Sequence, residues 1–226
     1  MQLAPDIRAL FPPGVAVEEA RPSEVTDPIF PEEEEAIVRA VEKRRREYIA
    51  GRVCAHRAMR TLGLEPVPVV REEDRSPRWP PNLRGTISHS SDYAVAVVGR
   101  ASDVAGLGID VEPREGIGPD LFERICTTRE LTMLEALSDS SRGIEARVIF
   151  SAKEAFYKCQ YAQSGQYLGF QDVELTLGAT EFTATLLRPA GPFPTGHEFS
   201  GGILRSEAMI VTTMALLPAD VPGEDS

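Results

Sequence analysis

The 226-residue sequence contains little cysteine, little lysine and no long hydrophobic segment. Its cysteines, Cys54, Cys126 and Cys159, are odd in number and far apart, which argues against a disulfide framework and against a CxxC-type zinc site. No apolar run approaches the roughly 18 residues that cross a bilayer. The N-terminal segment also lacks the basic-then-apolar order of a signal peptide. We therefore expect reduced thiols and a cytoplasmic protein without a membrane partner.

Positive charge is scarce: 24 lysines and arginines stand against 35 acidic residues, which gives a net charge of −11. This argues against a general nucleic-acid binder, which needs lysine and arginine to displace counterions from phosphates. The segment from Arg39 to Arg60 is nevertheless cationic, since its basic residues are opposed only by Glu42 and Glu47. Hydrophobic residues make up 42% of the chain, which excludes wholesale disorder. The sequence thus predicts a globular protein with one basic patch for an anionic partner of limited size.

The hydrophobic pattern predicts an α+β fold. Proline-rich residues 1–30 indicate loop and an edge strand, and a helix or broken helix pair is predicted over about 31–62. A second long helix is predicted from about residue 143 to Gly165. Strands are predicted at 85–90, 93–98, 107–112, 173–177, 182–186 and 209–216, with the first two forming a hairpin. Strands grouped in meanders with helices between them favour α+β over a doubly wound sheet.

The first candidate for chemistry is the run Gly108 to Glu112. On a strand, Asp110 and Glu112 share one face, because residues two apart project to the same side. Two adjacent carboxylates repel each other unless a cation lies between them, and hard oxygen ligands suit Mg²⁺. The alternative is a solvated strand end capped by Pro113. A dinucleotide-binding motif is excluded, since Val111 stands where its third glycine belongs and no helix follows.

The second candidate is the run Phe150 to Lys158. Glu154 and Lys158 are four residues apart and are therefore neighbours on one helix face. The chain has only three lysines, and two of them, Lys153 and Lys158, lie in this run. A compact ammonium suits a leaving phosphate. An ordinary surface ion pair is the alternative interpretation.

Two further stretches carry candidate anion contacts. His89 lies between Ser88 and Ser90, but a serine hydrolase is not indicated, because GxSxG is missing and the histidine of a strand faces away from adjacent serines. We interpret His89 as an anion contact at a strand end, with a structural histidine as the alternative. Arg44 and Arg52 are eight residues apart, roughly two helical turns, so both can face one phosphate. A solvated cationic face is the alternative for them.

Taken together and in order, these stretches resemble the Sfp/EntD-type 4′-phosphopantetheinyl transferases. The similarity covers roughly residues 40–170. Its five motifs are Arg44-Arg45-Arg46-Glu47-Tyr48 with Gly51-Arg52, Pro77-Arg78-Trp79-Pro80, Gly85-Thr86-Ile87-Ser88-His89-Ser90, Gly108-Ile109-Asp110-Val111-Glu112, and Phe150-Ser151-Ala152-Lys153-Glu154-Ala155-Phe156-Tyr157-Lys158. Phe150 stands where many relatives have tryptophan, Ser90 where several have cysteine, and Arg71 where some have lysine.

The resemblance implies a fold and a reaction. The fold is a monomer of two α/β subdomains related by a pseudo-twofold axis, each a small, mainly antiparallel sheet packed on a helix, and we divide them into residues 1–103 and 104–226. Coenzyme A is bound in the cleft between them. The reaction moves 4′-phosphopantetheine from coenzyme A to a serine of an acyl or peptidyl carrier protein, depends on Mg²⁺ and releases adenosine 3′,5′-bisphosphate.

The resemblance also implies the role of each matching residue. The metal ligands are Asp110, Glu112 and Glu154, and Glu154 is in addition the expected base for the serine. Lys158 and Lys153 stabilise the departing phosphate. The residues that bind the 3′-phosphate and adenine end of coenzyme A are Arg44, Arg52, His89 and Arg71.

Two other functions use the same residues. A Mg²⁺-dependent phosphoester hydrolase needs the same carboxylates, and a non-catalytic module that binds coenzyme A or a carrier protein needs the same basic groups. The residues leave the pathway open among fatty acid, polyketide, nonribosomal peptide and siderophore synthesis. We expect the transferase, acting in the activation of carrier proteins.

Overall fold

The computed structural model describes residues 7–90 and 92–223, which form two antiparallel sheets. The first sheet has the strand order β1-β3-β2. Its strands are β1 (Ala16–Ala20), β2 (Leu83–Ser90) and β3 (Tyr93–Arg100). The second sheet has the order β4-β8-β7-β6-β5. Its strands are β4 (Gly106–Pro113), β5 (Val173–Leu177), β6 (Glu181–Leu186), β7 (Glu198–Arg205) and β8 (Met209–Leu216).

Two long helices cover the sheets. Helix α2 packs on β1 and β3, and helix α5 packs on β4 and β8. Three shorter helices connect the larger elements, so that the helices in chain order are α1 (Pro31–Glu34), α2 (Glu42–Thr61), α3 (Phe122–Ile125), α4 (Thr128–Glu135) and α5 (Asp139–Ser164). The α+β class is confirmed, and so is the expectation of one small antiparallel sheet packed on a helix in each half. The division between residues 103 and 104 stays a prediction and falls between β3 and β4. None of the helices described is long and apolar enough to cross a bilayer.

The helical segment predicted over about 31–62 is present, and of its two forms, one helix or a broken pair, the structure has the broken pair. After α1, Glu35–Ile37 form a short 3-10 turn, and α2 begins only after the extended residue Val41. The Arg45 guanidinium closes this corner by donating to the Ile37 carbonyl oxygen at 2.9 Å. Arg45 is therefore occupied by the backbone, which leaves its neighbour Arg44 to face the candidate site.

Helix α5 approaches β4 very closely, and two glycines make this possible. A Cβ atom at Gly108 would stand 1.9 Å from the Ala155 carbonyl oxygen, and one at Gly106 would stand 2.3 Å from the Cys159 carbonyl oxygen. Any side chain at these positions would push the helix away from the strand. The glycines thus bring the polar face of α5 against Asp110.

The two sheets meet where β2 lies against β4. The Ser88 hydroxyl on β2 donates to Asp110 Oδ1 at 3.2 Å and accepts from the Val111 amide at 3.2 Å on β4. The predicted hairpin is confirmed by the pairing of Ser90 with Tyr93, and Ser91 of its connection lies outside the described residues. We call this line of contact between β2 and β4 the seam.

Candidate active site

Asp110 lies at the centre of the seam and is only 6% exposed. Its Oδ1 atom accepts from Lys158 Nζ at 2.8 Å and from the Ser88 hydroxyl at 3.2 Å. Among the residues described, no group donates to the buried Oδ2 atom. A buried carboxylate oxygen without a donor is costly unless a ligand completes it. Asp110 therefore has one oxygen fixed by the protein and one that lacks a donor among the described residues.

Helix α5 supplies two groups beside Asp110: Lys158 and Glu154. Lys158 also donates to the Ile109 carbonyl oxygen at 2.9 Å, which holds its ammonium over β4. Glu154 lies one turn earlier on the same face and forms no hydrogen bond or ion pair within the described part of the chain. Burial raises the pKa of the Glu154 carboxyl; the Lys158 ammonium opposes this shift and Asp110 adds to it.

Glu112 lies at the end of β4, two residues after Asp110. Burial raises the pKa of its carboxyl, and the charge of Asp110 raises it further. Arg147 opposes this shift, because its Nη1 atom donates to Glu112 Oε2 at 2.6 Å. Asp110 therefore lies within electrostatic reach of both Glu112 and Glu154, the other two carboxyl groups singled out in the sequence.

We call Asp110, Glu112 and Glu154 the acidic cluster. Its carboxylate oxygens are suitable ligands for a hard divalent cation. Across residues 7–90 and 92–223, no three acidic, histidine or cysteine side chains already stand together as a metal-binding group. The unpartnered Asp110 Oδ2 and the mutual repulsion of the carboxylates are nevertheless what a cation would relieve. Carboxylate oxygens are the ligands that Mg²⁺ prefers. The residues present therefore fit Mg²⁺.

A basic cluster lies on the other side of the seam. Arg44 Nη1 lies 2.9 Å from His89 Nε2. Because a guanidinium can only donate, Nε2 accepts and the ring proton is on Nδ1, which faces Glu47 Oε2 at 3.6 Å. Burial lowers the pKa of His89, and the Arg44 charge lowers it further. The predicted proximity of Arg44 and His89 is thus present in the fold.

Arg52 and Arg71 form a second basic pair. The Arg52 side chain is largely buried, and its guanidinium carbon lies 4.2 Å from the centre of the Tyr48 ring. Burial lowers the pKa of Arg52, against the influence of Tyr48 and Glu33, and Arg71 is close enough to lower it as well. Arg52 Nε has no hydrogen-bond partner within the described residues. Arg71 is exposed in a short turn that is closed by a bridge to Pro77.

The structure contradicts the predicted placement of Lys153 beside the leaving phosphate. Lys153 is 2% exposed, and its ammonium donates to Glu130 Oε2 at 2.7 Å, to the Phe170 carbonyl at 2.7 Å and to the Ile125 carbonyl at 2.9 Å. Lys153 and Lys158 are five residues apart, so on a helix they point about 140° away from each other. Lys153 therefore ties α5 to its neighbouring segments, and all three of its ammonium protons are used.

The sequence interpretation missed Arg147 and gave Ser88 no role. Arg147 lies seven residues before Glu154, which places both on one face of α5. The helical period was therefore a usable signal for Arg147. Ser88 carried no such signal, because its contact with Asp110 depends on how the two sheets meet.

An acidic cluster beside a lysine, with basic side chains across the seam, contains the parts of an enzyme that transfers a phosphate-linked group. Comparison with known proteins gives the family. The sequence-family model of the 4′-phosphopantetheinyl transferase N-terminal domain matches residues 32–99. The family model of the 4′-phosphopantetheinyl transferase superfamily matches residues 106–200. The chain belongs to the 4′-phosphopantetheinyl transferase family and is an enzyme that transfers phosphopantetheine to carrier proteins.

Individual relatives agree with this assignment over most of the chain. The 4′-phosphopantetheinyl transferase Svp of Streptomyces mobaraensis is 34% identical over 229 residues, which cover 97% of this chain and 93% of Svp. The 4′-phosphopantetheinyl transferase Npt of Nocardia iowensis is 30% identical over 221 residues, which cover 92% of this chain and 99% of Npt. Enterobactin synthase component D of Escherichia coli strain K12 is 34% identical over 137 residues, which cover 59% of this chain and 62% of that protein.

Proposed function

We propose that the enzyme takes 4′-phosphopantetheine from coenzyme A in a Mg²⁺-dependent reaction and attaches it to a serine of an acyl or peptidyl carrier protein, releasing adenosine 3′,5′-bisphosphate. One observation carries the proposal. The acidic and basic groups lie close together across the seam: Ser88 of β2 donates to Asp110 Oδ1 at 3.2 Å, and the next residue of β2, His89, lies 2.9 Å from Arg44 Nη1. Coenzyme A fits such a pair of sites, because its pyrophosphate can meet a cation held by the carboxylates while its 3′-phosphate meets the basic side chains.

Asp110, Glu112 and Glu154 would hold the Mg²⁺ ion, which when bound would neutralise charge on the pyrophosphate. Lys158 would stabilise the departing phosphate, and its position beside Asp110 supports this role. Glu154 would accept the proton of the carrier serine. Its position supports this, since Glu154 lies one turn before Lys158 on the same face of α5 and its carboxylate forms no hydrogen bond or ion pair within the described residues. Lys153 has no part in this proposal.

The basic residues would bind the other end of coenzyme A. Arg44, Arg52 and His89 would contact the 3′-phosphate, and Arg71 would lie near the adenine or its phosphates. The unpartnered Nε of buried Arg52 supports a ligand at this point, because a guanidinium has five donors to satisfy. The 2.9 Å contact of Arg44 with His89 supports it too, because it places both side chains where one ligand can reach them.

We further propose a monomer that works in the cytoplasm on carrier proteins, without nucleic-acid or membrane partners. The similarity to enterobactin synthase component D, whose name places it in enterobactin synthesis, favours carrier proteins of secondary metabolite synthesis. Fatty acid, polyketide and nonribosomal peptide carriers are the other substrates to compare.

The test is incubation of the enzyme with coenzyme A, Mg²⁺ and an apo carrier protein, followed by intact mass measurement of the carrier. We expect the carrier to gain the mass of one phosphopantetheine, and a carrier with alanine in place of its serine to gain nothing. Phosphate release without any carrier would instead indicate the hydrolase. No adduct with several carriers, together with normal coenzyme A binding, would indicate the non-catalytic module.

A further inference from the structure

Arg147 lies on the polar face of α5 and touches the acidic cluster. Counted along the helix, Ser151, Glu154 and Lys158 follow Arg147 at four, seven and eleven residues, so all four share one face. Its Nη1 atom donates to Glu112 Oε2 at 2.6 Å, and its Nε atom donates to the Glu115 carbonyl oxygen at 3.0 Å. One rigid guanidinium therefore spans a side chain and a backbone group three residues apart.

The contact with Arg147 fixes the Oε2 atom of Glu112 and leaves the Oε1 atom without a partner among the described residues. The side chains of Arg147 and Glu112 are each 19% exposed, so the pair is mostly shielded from solvent. In the described part of the chain, no hydrogen bond occupies Glu112 Oε1. Glu112 lies one residue before the end of β4 and is paired with Ile210 of β8, which restrains its backbone but not the rotation of its side chain. Without Arg147, rotation of the Glu112 carboxylate would be limited only by its packing.

We propose that Arg147 is a positioning residue that holds Glu112 Oε2 and thereby presents the other carboxylate oxygen to the Mg²⁺ ion. The inference rests on the proposed function, because it takes Glu112 as a metal ligand. Groups that hydrogen-bond to a ligating carboxylate orient it, and losing them typically weakens metal affinity by about 10- to 100-fold. A guanidinium is suited to this task, since its planar fork meets two acceptors in a fixed geometry.

The charge of Arg147 alone predicts the opposite result. A cation beside a metal ligand repels Mg²⁺, so its removal would strengthen metal binding if charge were its main effect. Positioning predicts that removal weakens metal binding. The sign of the change therefore separates the two explanations.

The experiment is calorimetric titration of Mg²⁺ into enzyme saturated with coenzyme A, without carrier protein, after subtraction of a titration into coenzyme A alone. We expect R147A to bind Mg²⁺ about tenfold more weakly than the wild type. We expect R147K to be weakened as well, because lysine keeps the charge but offers no fork. If R147A fails to fold, R147K alone tests the proposal. Thermal unfolding measures whether each variant is folded at the temperature of the titration.

Arg205 provides a matched control. Its Nη2 atom donates to Glu145 Oε2 at 3.1 Å, the two side chains are 22% and 28% exposed, and its Nη1 atom donates to the Ala179 carbonyl. This is another pair that links α5 to the second sheet, but neither residue belongs to the acidic cluster. R205A should lose a similar ion pair and retain wild-type Mg²⁺ affinity.

Unchanged or tighter Mg²⁺ binding in R147A overturns the proposal, as does wild-type affinity in R147K. Equal weakening in R205A and R147A also overturns it, since the effect would then be one of general stability. Failure of the proposed function is a separate result: the wild-type enzyme would form no carrier adduct, whatever the metal titrations show.

Discussion

Lys158 and Asp110 form a 2.8 Å contact between Nζ and Oδ1 that joins α5 to the seam. The two oxygens of Asp110 therefore differ: Oδ1 accepts from Lys158, whereas Oδ2 is buried and has no donor among the described residues. The contact also fixes the Lys158 ammonium within reach of whatever binds that free oxygen. The position of the lysine thus follows from the same packing, through Gly108, that brings α5 onto β4.

Replacing Lys158 by methionine should lower kcat by about 100-fold, a typical loss when one charge-stabilising group is removed from a transition state. The length of the side chain is kept, whereas its charge and both of its hydrogen bonds are lost. The rate of carrier modification at saturating coenzyme A measures the effect. Lys43→Met is the control, since Lys43 is exposed on α2 and, among the described residues, forms an ion pair with Glu47 alone, at 3.9 Å. Wild-type kcat in the Lys158 variant would remove this residue from the mechanism.

Glu112→Gln should reduce Mg²⁺-dependent turnover far more than it reduces stability. The amide keeps the shape and can still accept from Arg147, but it loses the negative charge that a cation needs. We expect turnover to fall at least about tenfold while the free energy of unfolding changes by about 1 kcal/mol, because the amide relieves the burial and the Asp110 repulsion that disfavour the Glu112 charge. Glu115→Gln, an exposed carboxylate nearby, serves as the control. Equal activity of Glu112→Gln at saturating metal would refute the assigned role.

Much of the fold followed from local patterns in the sequence, and the exceptions have physical reasons. Strand β7 escaped prediction because Gly201 and Gly202 interrupt its alternation. A Cβ atom at Gly201 would lie 2.2 Å from the Phe182 ring, so tertiary packing selects the glycine. Helices α3 and α4 are too short for a periodic signal, although Thr127 and Glu130 form a capping box at the start of α4.

The candidate site was predictable where neighbours in sequence are neighbours in space. Asp110 with Glu112 on a strand and Glu154 with Lys158 on a helix are such pairs. The contact of Ser88 with Asp110 joins two sheets and has no local signature. Lys153 was misplaced because its role was taken from the motif alone, although its spacing of five residues from Lys158 already puts the two lysines on different faces of a helix.

Lys153→Met should destabilise the enzyme strongly, because it leaves the buried Glu130 carboxylate without its cation. Breaking one partner of a buried ion pair costs about 3 to 5 kcal/mol. Adding Glu130→Gln should restore part of the loss, since a neutral amide at position 130 no longer needs a counter-charge. Denaturant unfolding of the single and double variants measures both effects.

The same variants separate a structural from a catalytic role for Lys153. Coenzyme A affinity of the folded Lys153→Met protein should equal that of the wild type at a temperature where both are folded. A variant with wild-type stability and impaired coenzyme A binding would restore Lys153 to the site and contradict its assignment as a structural residue.

The pH dependence of stability should contain a contribution from His89. Burial and the Arg44 charge, with Lys158, lower its pKa below the ordinary 6.5, against the influence of Glu47 and Asp110. Between these two values the unfolded chain binds a proton that the folded chain does not, so stability falls as the pH falls through this window. Above pH 6.5 the contribution is fully present. His89→Asn should flatten the acid limb of the stability curve measured by denaturant unfolding; an unchanged slope would show that His89 does not contribute.

Arg44→Ala should raise the KM for coenzyme A with little change in kcat, because a contact to the 3′-phosphate is made equally in the ground state and the transition state. Loss of a charged hydrogen bond is worth about 1.5 to 3 kcal/mol, which corresponds to about 10- to 150-fold in KM. Arg46→Ala is the matched control, as Arg46 is exposed on α2 and, among the described residues, forms an ion pair with Glu42 alone, at 3.8 Å. Coenzyme A that lacks its 3′-phosphate gives the sharper comparison. Wild-type and Arg44→Ala enzymes should use it with similar KM values, whereas a persistent difference would mean that Arg44 acts elsewhere on the substrate.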